Sequence, residues 1–141
     1  MLLAEPDAAL GAHLGHAVAD YADIDLHPDF PSARMSLVAQ PYDWVITNLR
    51  LQAYNGLHLL HLARAAGLPA RFLIYGDRLD PTLAQEVQRA GAFYESLDCV
   101  HRAVAAYLRS TLPAHDRRDP AVIDRRGSFR GSRRCRDLTA E

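Results

Sequence analysis

Three polar side chains each stand at the end of a short apolar run, where they could share one site. They are Glu5, Asn48 and Tyr75. A carboxylate such as Glu5 can bind Mg²⁺, but two or more carboxylates are usually needed to dehydrate that ion. An amide is uncharged and a poor nucleophile, so Asn48 is not expected to act as a nucleophile. With one carboxylate in the set, we expect no bound cofactor and only weak Mg²⁺ binding.

Other polar residues indicate no enzyme. His58 and His61 are three residues apart on one predicted helix, and His101 lies on another, with no third metal ligand in evidence. They are interpreted as surface histidines. No Ser-His-Asp or Cys-His arrangement can be defended. Asp77 and Asp80 are interpreted as loop acids.

Apolar runs bounded by turn residues alternate with stretches of helical spacing. Five strands are predicted, at Met1–Ala4, Ala22–Leu26, Trp44–Thr47, Phe72–Tyr75 and Ala92–Tyr94. Five helices are predicted between and after them, at Asp7–Val18, Ser32–Ala39, Gly56–Ala66, Thr82–Ala90 and Cys99–Leu112.

The ends and inner faces of these helices can also be predicted. Asp7 is a plausible N-cap, and Gly67 and Gly91 suit helix ends. In the short second helix, Met35 and Val38 are expected to face inward. In the other helices the inward residues are expected to be Leu10, Leu14, Val18, Leu57, Leu60, Ala63, Leu83, Val87, Val100, Val104, Tyr107 and Leu108.

Strands that alternate with helices imply a parallel sheet covered on both faces. Five βα units in about 113 residues fit a flavodoxin-like doubly wound α/β fold with strand order 2-1-3-4-5. In such sheets the site lies beyond the carboxyl ends of the strands. Glu5, Asn48 and Tyr75 would converge there.

Composition divides the 141 residues into one domain, residues 1–113, and a tail, residues 114–141. The tail has eight arginines and five acids, and few large apolar residues, so it is expected to be disordered. The chain has no lysine, and its net charge of −1 gives no overall attraction to nucleic acid. Two cysteines, Cys99 and Cys135, are expected to be reduced thiols in a cytoplasmic protein. No membrane helix and no signal peptide are expected.

Two segments resemble the receiver domains of response regulators. The first is Tyr42–Gly56, in which an apolar strand is followed by Thr47-Asn48-Leu49-Arg50-Leu51 and then by Asn55-Gly56. The second is Arg89-Ala90-Gly91-Ala92, which is typical of the join between the fourth helix and the fifth strand. The resemblance covers residues 1–112.

The resemblance implies a phosphoacceptor pocket that has lost most of its groups. Receivers carry an acidic pair, an acceptor aspartate, a Ser or Thr and a lysine. The corresponding positions here are Glu5-Pro6, Asn48, Tyr75 or Gly76, and Glu95-Ser96. Tyr75 is expected to fill the pocket, and Glu95 has the wrong charge. Glu5 is expected to be a solvated acid at the strand end, and Tyr94 or Phe93 stands at the switch-aromatic position of receivers.

The resemblance therefore implies a phosphorylation-independent pseudo-receiver in bacterial two-component signalling. It would bind a protein partner, or dimerise, through its fourth helix, fifth strand and fifth helix. Two alternatives remain open. A displaced acid, Asp43 or Asp77, could accept phosphate, although Asp43 should lie at the far end of its strand. The arginine-rich tail could also bind nucleic acid or another anion.

Overall fold

The structure, a computed structural model, describes residues 1–110. The strands are β1 (Leu2–Ala4), β2 (Asp25–His27), β3 (Trp44–Asn48), β4 (Arg50–Leu51), β5 (Tyr54–Asn55), β6 (Arg71–Gly76) and β7 (Phe93–Ser96). The helices are α1 (Ala8–Val18), α2 (Phe30–Ala39), α3 (Gly56–Ala65), α4 (Pro81–Arg89) and α5 (Leu97–Arg109). The boundary predicted between residues 113 and 114, and the tail, lie outside the described residues.

Five strands form one parallel sheet in the order β2-β1-β3-β6-β7. Counted without the β4–β5 hairpin, this is the predicted order 2-1-3-4-5, so the doubly wound fold is confirmed. Helices α2, α3 and α4 cover one face of the sheet, and α1 and α5 cover the other. The register pairs Ala4 with Thr47 and Asn48 with Tyr75. Glu5, Asn48 and Tyr75 are thereby brought to one edge of the sheet.

Local sequence signals explain where the helices begin and end. The side chains of Asp7, Asp29, Asn55 and Asp80 each accept hydrogen bonds from first-turn amides of α1, α2, α3 and α4. Such caps satisfy amides that have no partner within the helix. After α3 and α4, Gly67 and Gly91 adopt φ of 67° and 77°, which glycine tolerates without steric cost.

The prediction that Met35 and Val38 face inward is wrong. Their exposed fractions are 75% and 62%, whereas Ala33 and Leu37 of the same helix are buried. Residues four apart share one face of a helix, so a core contact through Ala33 and Leu37 directs Met35 to the opposite side. Apolar character alone did not show which face of this weakly amphipathic helix meets the sheet.

Several predicted boundaries also shift. The second strand is Asp25–His27 instead of Ala22–Leu26, and the fifth extends to Ser96. Helix α5 begins at Leu97, two residues earlier than predicted, and it is described to Arg109. The β4–β5 hairpin was not predicted. Each of its strands is two residues long, and the hairpin positions Asn55 as the N-cap of α3.

The glycine of the Asn55-Gly56 motif is required by close packing. A Cβ at Gly56 would lie 2.5 Å from the Asn48 backbone oxygen and 3.0 Å from the Thr47 hydroxyl. The nearest obstacle is backbone, which cannot rotate aside. A glycine therefore lets the start of α3 lie directly against the end of β3, next to the candidate site.

Arg64 joins three segments of the fold. Its guanidinium donates hydrogen bonds to the backbone oxygens of Gly91 (2.8 Å), Ala70 (3.2 Å) and Ala90 (3.3 Å). Its Cζ also lies 5.7 Å from the centroid of the Phe72 ring. Partial burial lowers the pKa of Arg64. One side chain thus connects the end of α3, the start of β6 and the turn between α4 and β7.

Cys99, at the start of α5, is disulfide-bonded, so the prediction of a reduced thiol at this position is wrong. A count of two cysteines argues against a framework of several disulfides, but it does not exclude a single bond. Cys135 lies outside the described residues. Within residues 1–110, no helix is both long enough and apolar enough to cross a membrane.

Candidate functional site

The carboxyl ends of β1, β3 and β6 meet around the side chain of Glu5. Glu5 is only 3% exposed, so the expectation of a solvated acid is wrong. Its Oε1 accepts a hydrogen bond from the backbone amide of Asp7 at 2.8 Å. Its Oε2 accepts hydrogen bonds from the Asn48 amide and the Tyr75 hydroxyl. A buried carboxylate requires such donors, because burial without them carries a large free-energy cost.

Asn48 uses both ends of its amide within the site. Its Nδ2 donates to Glu5 Oε2 at 2.9 Å, and its Oδ1 accepts from the backbone amide of Arg50 at 2.9 Å. An aspartate could make the second of these contacts but not the first, because it has no N–H donor. Asn48 is therefore chemically matched to a neighbouring carboxylate.

Tyr75 occupies the interior of the same site. It is fully buried, and its hydroxyl donates to Glu5. Burial, and the hydrogen bond to a negative acceptor, raise the pKa of Tyr75 above its ordinary value. The phenol therefore stays protonated, and remains a donor, beyond the pH range in which an exposed tyrosine ionises.

Gly76, the other residue at the ambiguous position, has a different role. A Cβ at Gly76 would lie 2.7 Å from the hydroxyl oxygen of Tyr94. That hydroxyl donates to the backbone oxygen of Arg78 at 2.7 Å, and Tyr94 is 9% exposed. Burial raises the pKa of Tyr94, and Asp80 and Asp77 raise it further. The absence of a side chain at Gly76 thus makes room for an inward-facing Tyr94.

Replacing Gly76 by alanine is expected to displace Tyr94 and to destabilise the fold by about 1–3 kcal/mol, the usual cost of overpacking. The clash involves the phenolic oxygen, so the matched control is the double variant Gly76→Ala/Tyr94→Phe. Urea unfolding should show the double variant to be more stable than the sum of the two single changes predicts. Strict additivity would contradict this contact.

The remaining predicted positions do not join this network. Pro6 is half-buried and has no side-chain ligand, and the Asp7 carboxylate caps α1. Glu95 accepts a hydrogen bond from the Tyr107 hydroxyl at 2.8 Å, on the α5 side of the sheet. The structure thus groups Glu5, Asn48 and Tyr75 together, with Gly76 and Tyr94 adjacent and Glu95 directed towards α5.

The other acids are separate from Glu5. Asp77 pairs with Arg50 at 3.2 Å, and both side chains are largely exposed. Asp80 caps α4. Asp43 precedes β3, at the opposite end of the sheet. His58 packs against Phe30 and Tyr54, and in residues 1–110 no group of three His, Cys, Asp or Glu side chains is arranged to hold a metal ion.

The hydrogen-bonding groups of this site are satisfied by one another. Every hydrogen-bonding atom of the Glu5 carboxylate has a donor from the protein, and no basic side chain of residues 1–110 pairs with it. Sequence reasoning missed the burial of Glu5. The available signal was the phenol at Tyr75, since a large polar side chain that fills a pocket needs an acceptor there.

The fold is similar to solved structures of one kind. They include the receiver domain of the Francisella response regulator 1452, with a TM-score of 0.71, 15% identity, and coverage of 76% of this chain and 90% of that chain. A response regulator receiver domain protein from Clostridium thermocellum has a TM-score of 0.68 and 13% identity, with coverage of 76% of this chain and 88% of that chain. The chemotaxis response regulator CheY4 of Vibrio cholerae has a TM-score of 0.65 and 14% identity, with coverage of 76% of this chain and 95% of that chain.

The sequence itself matches no protein-family model and no curated protein. The similarity extends over 88–95% of each of these neighbouring chains. At sequence identities of 13–15%, this similarity shows a shared fold and does not show that the pockets share the same chemistry. The chain has the fold of the response-regulator receiver domains.

Proposed function

We propose that this chain is a phosphorylation-independent pseudo-receiver, a protein-interaction or dimerisation module of bacterial two-component signalling. The observation that carries the proposal is Asn48. It stands at the carboxyl end of β3 and bonds to Glu5, so the site contains an amide where acyl phosphate chemistry needs a carboxylate. No catalytic activity and no cofactor are part of the proposal.

The rest of the pocket supports the same reading. Tyr75 places a phenol on Glu5, and Gly76 provides no hydroxyl. Mg²⁺ binding usually needs several oxygen ligands that are free to approach the ion. Glu5 is instead engaged by three protein donors, two of them from side chains. Mg²⁺ binding at this site is therefore expected to be weak.

The proposed contact surface is the α4–β7–α5 face, formed by Pro81–Arg89, Phe93–Ser96 and Leu97–Arg109. Its exposed charged residues include Glu86, Arg89 and Arg102. Tyr94 lies within this face and is held inward by the Arg78 carbonyl. We propose that association through the face is constitutive, and that partner concentration controls it instead of phosphate.

Intact mass and sedimentation velocity, measured on one set of samples with and without a small-molecule phosphodonor and Mg²⁺, test the proposal. The native chain should gain no phosphoryl group, and its association should not change. The single charge reversal Arg102→Glu should abolish association, because it replaces a cation of this face by an anion and so repels the groups that attracted the cation, whether they belong to a partner or to a second copy of the chain. Arg34→Glu, an exposed reversal on α2, is the matched control and should associate normally.

A phosphoryl adduct on the native chain would contradict the proposal and would point to a displaced acceptor such as Asp77. Asp43 is excluded from that role by its place at the opposite end of the sheet. Association that survives Arg102→Glu would refute the α4–β7–α5 face. The suggestion that the arginine-rich tail binds nucleic acid concerns residues outside 1–110. If the full chain shows no salt-sensitive binding to nucleic acid, that suggestion is removed.

A further inference from the structure

A second concave region lies at the end of the sheet opposite the Glu5 site. It is a cleft of about 400 Å³, within the range of about 300–1,000 Å³ that small-molecule sites occupy. The cleft is bordered by the residues that begin β3 and β6, by the end of α5 and by the segment after α1. Its charged groups are Asp43, Arg71 and the Met1 ammonium, which donates to the Asp23 backbone oxygen at 2.8 Å, and Trp44 and Leu108 supply apolar surface.

Two oppositely charged side chains border this cleft without pairing. Asp43 and Arg71 are neighbours across β3 and β6, and the Arg71 backbone amide donates to the Asp43 backbone oxygen at 2.9 Å. Within residues 1–110, however, neither side chain forms an ion pair or a hydrogen bond. Adjacent opposite charges normally attract each other, so their separation requires a cause.

Trp44 provides that cause. The Arg71 guanidinium lies over the indole ring, with Cζ 5.6 Å from its centroid. Trp44 is itself buried, and it packs against Phe93 and Tyr107, each with ring centroids 6.1 Å away. A guanidinium held over an aromatic ring by a cation–π contact keeps N–H groups that can bind a carboxylate. Arg71 is therefore held ready for an external anion.

Tyr42, another lining residue, is also fixed in place. The Tyr42 hydroxyl hydrogen-bonds Asp25, and this bond is the main reason that the pKa of Asp25 is lowered to about 2. Ser36 and Gln40 contact the same phenol. A wall that is ordered before binding reduces the entropy lost when a ligand arrives.

We infer that this cleft binds a small zwitterion of the α-amino-acid class with an apolar side chain. Arg71 binds the ligand carboxylate through paired N–H groups, and Asp43 binds its ammonium. The ligand side chain lies against the apolar surfaces of Trp44 and Leu108. A simple anion would meet the Asp43 carboxylate, and a simple cation would meet Arg71, so a ligand that carries both charges fits best. This site is independent of the proposed pseudo-receiver function.

Isothermal titration calorimetry of the full chain with three matched probes tests the inference. L-Phenylalanine carries both charges, 3-phenylpropionate lacks the ammonium, and 2-phenylethylamine lacks the carboxylate. L-Phenylalanine should bind, and each of the other two should bind at least about tenfold more weakly, as expected when one charge-assisted hydrogen bond is lost. Arg71→Gln and Asp43→Asn should each weaken L-phenylalanine binding by a similar factor.

Arg50→Gln, which removes an exposed arginine at the other end of the sheet, is the matched control and should bind L-phenylalanine as the native chain does. Asp43 is exposed, so Asp43→Asn reports on the site even if Arg71→Gln disturbs the packing of Trp44. The inference is overturned if L-phenylalanine does not bind, if either analogue binds as tightly, or if Asp43→Asn leaves binding unchanged.

Discussion

Asn48→Asp is expected to destabilise the fold by about 2–4 kcal/mol at pH 7, near the cost of leaving a buried charge unpaired. The substitution removes the donor that lies 2.9 Å from Glu5 Oε2 and puts a second carboxylate in its place. No basic side chain of residues 1–110 pairs with Glu5 to offset the repulsion. A carboxylate at position 48 is therefore expected to cost stability in this pocket.

The loss of folding stability caused by Asn48→Asp should depend on pH in a predictable direction. Repulsion favours the protonated form, so the folded-state pKa of the introduced carboxyl should lie above the ordinary value of about 3.9. A group whose folded pKa is raised contributes most to stability at low pH and loses that contribution as pH rises through the folded pKa. Urea unfolding should thus show a smaller difference from the native chain at pH 4 than at pH 7.

The double variant Asn48→Asp/Glu5→Gln is the control for this interpretation. It removes the Glu5 charge, and the glutamine at position 5 supplies an amide donor to the aspartate at position 48. Its stability should exceed that of Asn48→Asp alone. If the double variant is less stable, or if the deficit grows as pH falls, carboxylate repulsion is not the cause.

Tyr75→Ala is expected to be the more disruptive change, with a loss of about 3–5 kcal/mol, as for other large buried aromatic residues. Tyr75 is fully buried between the sheet and the α1–α5 layer, and it also supplies one of the hydrogen bonds to Glu5. Its loss would leave a cavity lined partly by a carboxylate. Equilibrium unfolding in urea measures the effect, and the native and variant m-values should be similar.

Tyr75→Phe separates the two contributions. It keeps the ring and removes only the hydroxyl, so its cost should be about 1–3 kcal/mol, that of an acceptor left without one donor. A Tyr75→Phe variant as stable as the native chain would show that the phenol–Glu5 contact contributes nothing. A Tyr75→Ala variant no less stable than Tyr75→Phe would mean that the ring does not fill the pocket.

The fold could be predicted from the sequence because several independent signals agreed. Apolar runs indicated the five strands of the main sheet, although the second lies at Asp25–His27, and Asp7, Gly67 and Gly91 marked helix ends that the structure confirms. Parallel topology then required the carboxyl ends of the strands to converge. The meeting of Glu5, Asn48 and Tyr75 follows from that convergence alone, without knowledge of any side-chain contact.

The errors concern orientation and partners, which period and composition do not determine. Met35 and Val38 are apolar but face solvent, because Ala33 and Leu37 make the core contact of α2. Glu5 is charged but buried, because three donors from different parts of the chain surround it. The choice between Tyr75 and Gly76 could not be made from one sequence. The structure shows that both residues matter, one through its phenol and the other through its missing side chain.

Arg64 has a consequence for how the protein opens. Its bonds to Ala90 and Gly91 join residues 26 and 27 positions apart in sequence. The end of α3 cannot separate from the turn before β7 unless both of these bonds break. Amide hydrogens of these two segments should therefore exchange with deuterium as one cooperative unit, with a common opening free energy. A lysine at this position has no planar fork of donors, and it would allow the two segments to exchange independently.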